Sequence, residues 1–104
     1  MTFVHETRHD SLAAEAAIRI GAALPYINGV TAALPPYDAP TGAAIGPGVA
    51  IVQQQTTLQI TCFVVLDVAA GLTVHAHTAL IRDVVTAIVA RVTDLACTVA
   101  VVVA

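Results

Sequence analysis

The 104-residue sequence contains no lysine and no tryptophan, and arginine supplies all four of its fixed positive charges. Charged residues make up 11% of the chain, whereas about 25% is usual for a soluble domain. The net charge is −3, so the chain cannot neutralise the many phosphates that dominate nucleic-acid affinity. With two tyrosines and two phenylalanines, it also has too few aromatic rings for a base-stacking platform. We therefore expect no nucleic-acid partner.

Long uninterrupted apolar runs are also missing, although 58% of the residues are hydrophobic. A membrane-spanning helix needs about 20 apolar residues in succession. The two best candidates are interrupted, one by Gln59 and Asp67 and the other by Arg91 and Asp94. The N-terminal residues include acids where a signal peptide has a basic head. We expect one cytoplasmic domain over residues 1–104 without a transmembrane segment, and with too little charge to cover its surface unless a partner does so.

Groups suited to covalent or acid–base catalysis are scarce. Cys62 and Cys97 lie in apolar runs and form no C-x-x-C pair, which favours two buried reduced thiols. Ser11 is the single serine, and no nucleophile motif surrounds it. The seven acidic residues are scattered, and Asp67, at a predicted strand end, is more typical of a solvated carboxylate than of a general base. The sequence therefore indicates a protein that is not an enzyme and uses no cofactor.

The first half of the chain predicts one helix and one long connection. Asp10 and Ser11 are favourable N-cap residues and precede an alanine-rich apolar stripe. Pro25 disfavours helical geometry at Leu24, so the predicted helix begins at the Asp10-Ser11 cap and ends near Leu24. Residues 31–48 contain four prolines and three glycines, which predicts a long loop with a functional role or high mobility.

The second half predicts strands on either side of a second helix. One strand begins at Val49, and residues 57–68 alternate apolar and polar side chains over a second strand. After Gly71, residues 73–95 carry apolar side chains at helical spacing, and residues 97–104 alternate again. The pattern predicts a two-layer α+β domain, with a mainly antiparallel sheet of three to four strands and two helices on one face.

The histidines provide the pattern that most suggests chemistry. Residues 5–9 read H-E-x-x-H, which on a helix supplies two zinc ligands and a general base. That chemistry needs both imidazoles one helical turn apart on one face, but the predicted helix begins after the motif and no third ligand follows. A second histidine pair, His75 and His77, could complete such a site only if the N-terminus lay beside the start of the second helix. We expect no metal site, and metal binding stays an alternative that would use His5, His9, His75 and His77.

Apolar residues that the predicted core does not use are candidates for contact with a partner. The second face of strand 57–68 begins polar and becomes apolar at Phe63 and Val65. With Tyr26 and Tyr37, these are the predicted interaction residues. The rings of Tyr26, Tyr37 and Phe63 could instead line a pocket with the loop at 31–48 as its lid. A small-ligand-binding module is therefore a second alternative.

Residues 71–104, "GLTVHAHTALIRDVVTAIVARVTDLACTVAVVVA", carry a recognisable pattern. A glycine-led turn precedes an amphipathic helix, a Thr93-Asp94-Leu95 step follows it, and the chain closes on a Val-x-Val-x-Val strand at 99–103. Residues 22–30, "AALPYINGV", read as an alanine-rich helix that runs into a Gly-Val ending. In these features the chain resembles the alkaline-shock-protein family of envelope stress proteins, with Asp94 where that family has glycine.

The resemblance implies a function as well as a fold. Members of that family are non-enzymatic, self-associate and lie at the cytoplasmic side of the cell envelope through a membrane-anchored partner. No catalytic residue is carried over. We therefore expect a homo-oligomeric interaction or structural module linked to envelope stress or homeostasis, cytoplasmic and peripheral to the inner face of the membrane.

Overall fold

The structure, a computed structural model, describes residues 3–37, 39–67 and 73–104, with the backbone alone for residues 3–11. Two helices and five strands follow one another along the chain, and their mostly antiparallel open sheet confirms the α+β class. Neither helix described is long and apolar enough to cross a membrane. The elements, in order, are α1 (Phe3–Ala23), a 3-10 turn (Leu24–Tyr26), β1 (Val30–Ala33), β2 (Ala44–Gly46), β3 (Val49–Gln53), β4 (Thr57–Leu66), α2 (Val74–Val92) and β5 (Ala96–Val103).

Strand β4 is the centre of the sheet. One of its edges pairs antiparallel with β3 at Leu58–Cys62 and then with β1 at Val64–Leu66. Its other edge pairs with β5 in parallel from Thr57 to Val64. Strand β2 extends the sheet beyond β3. The parallel pairing of β4 with β5 is possible because α2 provides the crossover that parallel neighbours need.

Helix α1 lies close to the sheet because its inner face is built from small residues. Ala13, Ala16, Ala17 and Ile20 are buried on that face. The turn between β2 and β3 approaches the helix so closely that a Cβ atom added to Gly46 would lie 2.5 Å from the carbonyl oxygen of Ala17. Side chains larger than alanine along this line would push the β2–β3 hairpin away from the core.

Helix α2 begins at a side-chain cap and covers the β4–β5 half of the sheet. The Thr73 hydroxyl accepts a hydrogen bond from the Ala76 N–H at 3.0 Å, which satisfies one of the unpaired donors of the first turn. Its buried residues recur every three or four positions, as expected of a helix that presents one face to a core. They are His77, Ile81, Val85 and Val89.

The core fills the space between the two helices and one face of the sheet. Alternate residues of β4 point into it, because successive side chains of a strand lie on opposite faces. These residues are Leu58, Ile60, Cys62, Val64 and Leu66. Val49 and Ile51 of β3 and the half-buried Val99 and Val101 of β5 extend the same layer.

Two features of the first half differ from the sequence-based expectation. Helix α1 begins at Phe3, so the start predicted at Asp10-Ser11 is wrong. Residues 3–10 contain no proline or glycine, and an N-cap preference of about 1 kcal/mol does not end a helix that can continue. Residues 31–48, predicted as a loop, contain most of β1 and all of β2. Strands of four and three residues are too short to give a periodic signal.

The contact at Gly21 generates the first prediction. Within a helix, replacing glycine by alanine normally raises stability by about 1 kcal/mol. Here the added Cβ would lie 2.6 Å from Cδ of the Pro47 ring and 3.0 Å from the backbone nitrogen and oxygen of Pro47. We expect Gly21→Ala to lower the free energy of unfolding by about 1 to 3 kcal/mol, the usual cost of overpacking. Urea unfolding measures it.

The exposed neighbour Ala22 provides the control. Ala22→Gly changes helix propensity without a packing contact, and we expect a loss of about 1 kcal/mol from propensity alone. A Gly21→Ala variant more stable than the wild type would show that α1 and Pro47 are not in close contact.

Candidate interaction surface

Charged side chains are excluded from the sheet. None of the residues in β1 to β5 is charged. The charged residues whose side chains the structure describes lie on the helices or after strand and helix ends. They are Glu15, Arg19, Asp67, Arg82, Asp83, Arg91 and Asp94. Glu15 and Arg19 form an exposed ion pair at 3.6 Å on α1, which contributes little to stability.

The face of the sheet opposite the helices, called here the open face, is therefore uncharged along its strands. Its residues alternate with the core residues of each strand, and the strand register places them side by side. Ile45 is 54% exposed at one end of this face, and Val65 and Val102 are half-buried. The open face consists of Ala32, Ile45, Ala50, Val52, Gln59, Thr61, Phe63, Val65, Thr98, Ala100 and Val102.

The proline-rich segment after β1 covers part of the open face. The Leu34 N–H donates a hydrogen bond to the Phe63 carbonyl at 2.8 Å, which holds the segment beside β4. The Tyr37 ring then lies over the Phe63 ring, with centroids 5.0 Å apart and planes at 56°, a favourable tilted arrangement. Phe63 is consequently 5% exposed, whereas Tyr37 is 55% exposed. Tyr37 therefore forms the solvent-exposed surface above Phe63.

The four predicted interaction residues thus occupy different environments. Phe63 and Val65 belong to the open face, and Tyr37 covers Phe63 there. Tyr26 lies in the 3-10 turn that follows α1 and is 89% exposed. Of the three rings that the ligand-pocket alternative named, Tyr37 and Phe63 contact each other, whereas Tyr26 lies in a different element.

The outer edge of β5 is a second uncharged surface. The Ala104 N–H donates to the Val64 carbonyl at 3.0 Å, so even-numbered residues of this segment direct their backbone groups toward β4. Odd-numbered residues direct theirs away, because backbone groups alternate along a strand. Arg82 confirms this direction, since its Nε donates to the outward Val99 carbonyl at 3.3 Å. No strand among the described residues pairs with this edge.

The histidines do not converge on one site in the part of the chain that the structure describes. Helix α1 carries both His5 and His9 one turn apart on its backbone, but their side chains lie outside the described residues. His75 is exposed and His77 is 1% exposed, at positions of α2 that face different directions. The described residues contain no group of three or more possible metal ligands.

His77 is a buried polar residue that sequence reasoning placed only at the edge of an apolar stripe. Its ring contacts Gly29, whose φ of 91° gives the backbone a conformation that a residue with a Cβ rarely adopts. Neither ring nitrogen has a hydrogen-bond partner among the described residues. A buried donor or acceptor without a partner costs about 1 to 3 kcal/mol, so His77 is a source of instability within the core.

An open groove lies elsewhere, between α1, the start of β2 and the end of β3. Its volume is about 850 Å³, and Ala13, Ala14, Thr41 and residues 53–55 contribute to its wall. Its polar wall consists of neutral amides and hydroxyls, since residues 53–55 are three consecutive glutamines. The three consecutive glutamines are the sequence signal for this wall, and the sequence alone assigned them no binding role.

The cysteines are both free thiols with different surroundings. Cys62 is buried in β4 and Cys97 is half-buried in β5. Burial raises the pKa of the Cys62 thiol from 9.0 to about 12, because the core does not solvate a thiolate. Cys62 therefore stays protonated and unreactive at neutral pH.

The Cys62 pKa predicts a loss of stability in alkali. Between pH 9.0 and about 12 the native state holds a proton that the unfolded state releases. Stability therefore falls as pH rises through this window, by about 1.4 kcal/mol per pH unit. We expect the fall between about pH 9 and about pH 11 to be smaller in Cys62→Val than in the wild type, as measured by urea unfolding. Equal slopes in Cys62→Val and the wild type would contradict the assignment, and Cys97→Val is the control.

A third prediction concerns His77. Leucine is similar in size and has no polar atoms, so His77→Leu removes from the core two nitrogens that have no hydrogen-bond partner among the described residues. We expect the free energy of unfolding at neutral pH to rise by about 1 to 3 kcal/mol. His75→Leu, at an exposed position of the same helix, should change it by about 0.5 kcal/mol or less. A large loss of stability in His77→Leu would instead show that the imidazole is bound to a water molecule or an ion.

Comparisons of the chain with models of known protein families, with curated proteins and with solved structures return no match.

Proposed function

We propose that this protein is a non-enzymatic interaction module that works by self-association. The observation that carries the proposal is the segregation of charge: the described charged side chains lie on the helices and at element ends, whereas the strands carry none. An uncharged, partly apolar surface is the kind that proteins bury against a partner.

The partner best suited to such a surface is another copy of the chain. Homo-oligomer interfaces are typically less charged than the rest of a protein surface. Ile45 on the open face and Tyr37, which covers part of it, each expose more than half of their surface, and aromatic residues are common at the centre of interfaces. The surface formed by the outer sides of the two helices is less suited to this, because Glu15, Arg19 and Arg91 are exposed there.

The proposed cellular role is support of the cell envelope under stress, from the cytoplasmic side and through a membrane-anchored partner. This part of the proposal depends on the resemblance of residues 71–104 to the alkaline-shock-protein family. Those residues include the whole of α2 and β5, the helix and closing strand on which the resemblance is based. The module needs no catalytic group for such a role.

A small-ligand-binding module is the second candidate, and the groove of about 850 Å³ beside residues 53–55 favours it. That volume is within the range of about 300 to 1,000 Å³ common for ligand pockets. A neutral polar compound that raises the melting temperature of the wild type, but not of Gln54→Ala, would support this candidate. Loss of self-association on ligand binding would connect the two functions.

Self-association is tested directly by molar mass in solution. We expect sedimentation equilibrium from about 1 μM to about 100 μM to show a dimer or larger species, the range that brackets micromolar affinity. Because the proposed surfaces are uncharged, the association should not weaken when salt is raised to about 1 M, where charge interactions are screened beyond about 3 Å. A monomer throughout this range would contradict the proposal, and a dimer lost at high salt would assign association to the helical charges.

A further inference from the structure

The sheet ends at β5, whose outer edge pairs with no other strand among the described residues. β5 has eight residues, whereas the short strands β1 and β2 have four and three. The outward N–H and C=O groups belong to Cys97, Val99, Val101 and Val103, and Arg82 contacts one of them, the Val99 carbonyl. A long neutral edge of this kind is a template for addition of another strand.

We propose that a second copy of the chain pairs with this edge, β5 against β5 in antiparallel orientation, to form one continuous sheet. The register that uses every outward group places Val99 opposite Val101 of the second copy and Cys97 opposite Val103. The two-fold axis then passes beside Ala100. Such an isologous pairing is closed, so it produces a dimer and not a fibre. The inference rests on the proposed function, and it names the surface through which the copies associate.

The chemistry of β5 favours a copy of itself as the occupant. Residues 96–104 carry no charge, so two copies meet without a like-charge pair between their strands. On the open face, Thr98 lies opposite Val102 of the second copy, a β-branched cross-strand pair of the favourable kind. Ala100 is small and exposed, which lets the strands approach at the axis. The two-fold axis also keeps both pairs of helices on the same side of the extended sheet.

Arg82 opposes this pairing. Its guanidinium group occupies the Val99 carbonyl that the second copy needs, and the symmetry brings two Arg82 side chains near the axis. Natural sheets use such charged residues to limit pairing at their edges. Arg82 therefore sets the association to a moderate strength, and Arg82→Ala should strengthen dimerisation several-fold by removing both effects.

Ala100→Lys tests the proposal by placing two lysines opposite each other at the axis. Like charges directly opposite on paired strands repel, so we expect the dimer dissociation constant to rise by about tenfold or more, measured by sedimentation equilibrium. Ala32→Lys is the matched control, since Ala32 is an exposed alanine on the open face of β1. We expect Ala32→Lys to associate like the wild type.

Val101→Pro provides an independent variant. Proline is tolerated on an edge strand where the missing N–H faces away from the sheet, so the pairing of β5 with β4 is retained while the outer ladder is blocked. Dimer loss in both Ala100→Lys and Val101→Pro, with a native circular dichroism spectrum, supports the proposal. If Val101→Pro fails to fold, the comparison of Ala100→Lys with Ala32→Lys decides.

The outcomes separate this inference from the proposed function. A wild-type dimer whose affinity is unchanged by Ala100→Lys overturns the β5 interface but leaves self-association intact, through another surface such as the open face. A wild-type monomer at all concentrations overturns both. Arg82→Ala that weakens the dimer would also overturn the β5 interface, because it would make Arg82 part of the contact.

Discussion

The backbone of β4 connects the parts of the sheet, since three other strands hydrogen-bond to it. Even-numbered residues of β4 bond to β5, and odd-numbered residues bond first to β3 and then to β1. Buried backbone groups must be paired, so a strand in this position needs apolar side chains and two complete neighbours. Charged side chains are absent from β4, as a central position in the sheet favours. Among the described strands, β1, β2 and β5 each pair with a single neighbour, and β5 is the longest of the three.

Close approach of the helices is the second requirement of the fold. The hairpin of β2 and β3 contacts α1 through Gly46 and Pro47, where α1 presents Ala17 and Gly21. At a second point of close approach, the His77 ring of α2 contacts Gly29 in the turn before β1. Gly21, Gly29 and Gly46, together with the small Ala17, thus let backbone and ring atoms meet directly. The low side-chain volume of the inner face of α1 is therefore a packing feature.

Much of this fold follows from periodicity in the sequence. Alternation identified β4, helical spacing identified α2, and both gave the core side chains correctly at Ile60, Cys62, Ile81 and Val85. The true start of α1 was missed because a local cap preference was taken for a boundary. Strands β1 and β2 were missed because they are short and depend on long-range partners, such as Val64 for Ala33.

The candidate surfaces were less predictable than the fold. The sequence identified Phe63 and Val65 as a second apolar face, but not that Tyr37 covers Phe63. The contact of Arg82 with Val99 depends on tertiary placement, which has no local sequence signal. The same holds for the lack of partners for the His77 nitrogens among the described residues. Charge scarcity, by contrast, was visible in composition alone. It predicted contact with a partner, and the structure locates the uncharged surfaces where we propose that contact occurs.

The account depends on β5 being paired on one edge within the chain and on the other edge by a second copy. Residue-resolved amide hydrogen exchange distinguishes the two edges, because the Thr98, Ala100 and Val102 amides face β4 while those of Val99, Val101 and Val103 face outward. The account predicts that the first group is protected at every protein concentration. Protection of the second group should appear only as concentration rises through the dimerisation range. Outward amides that exchange rapidly at high concentration, while the chain is oligomeric, would contradict it.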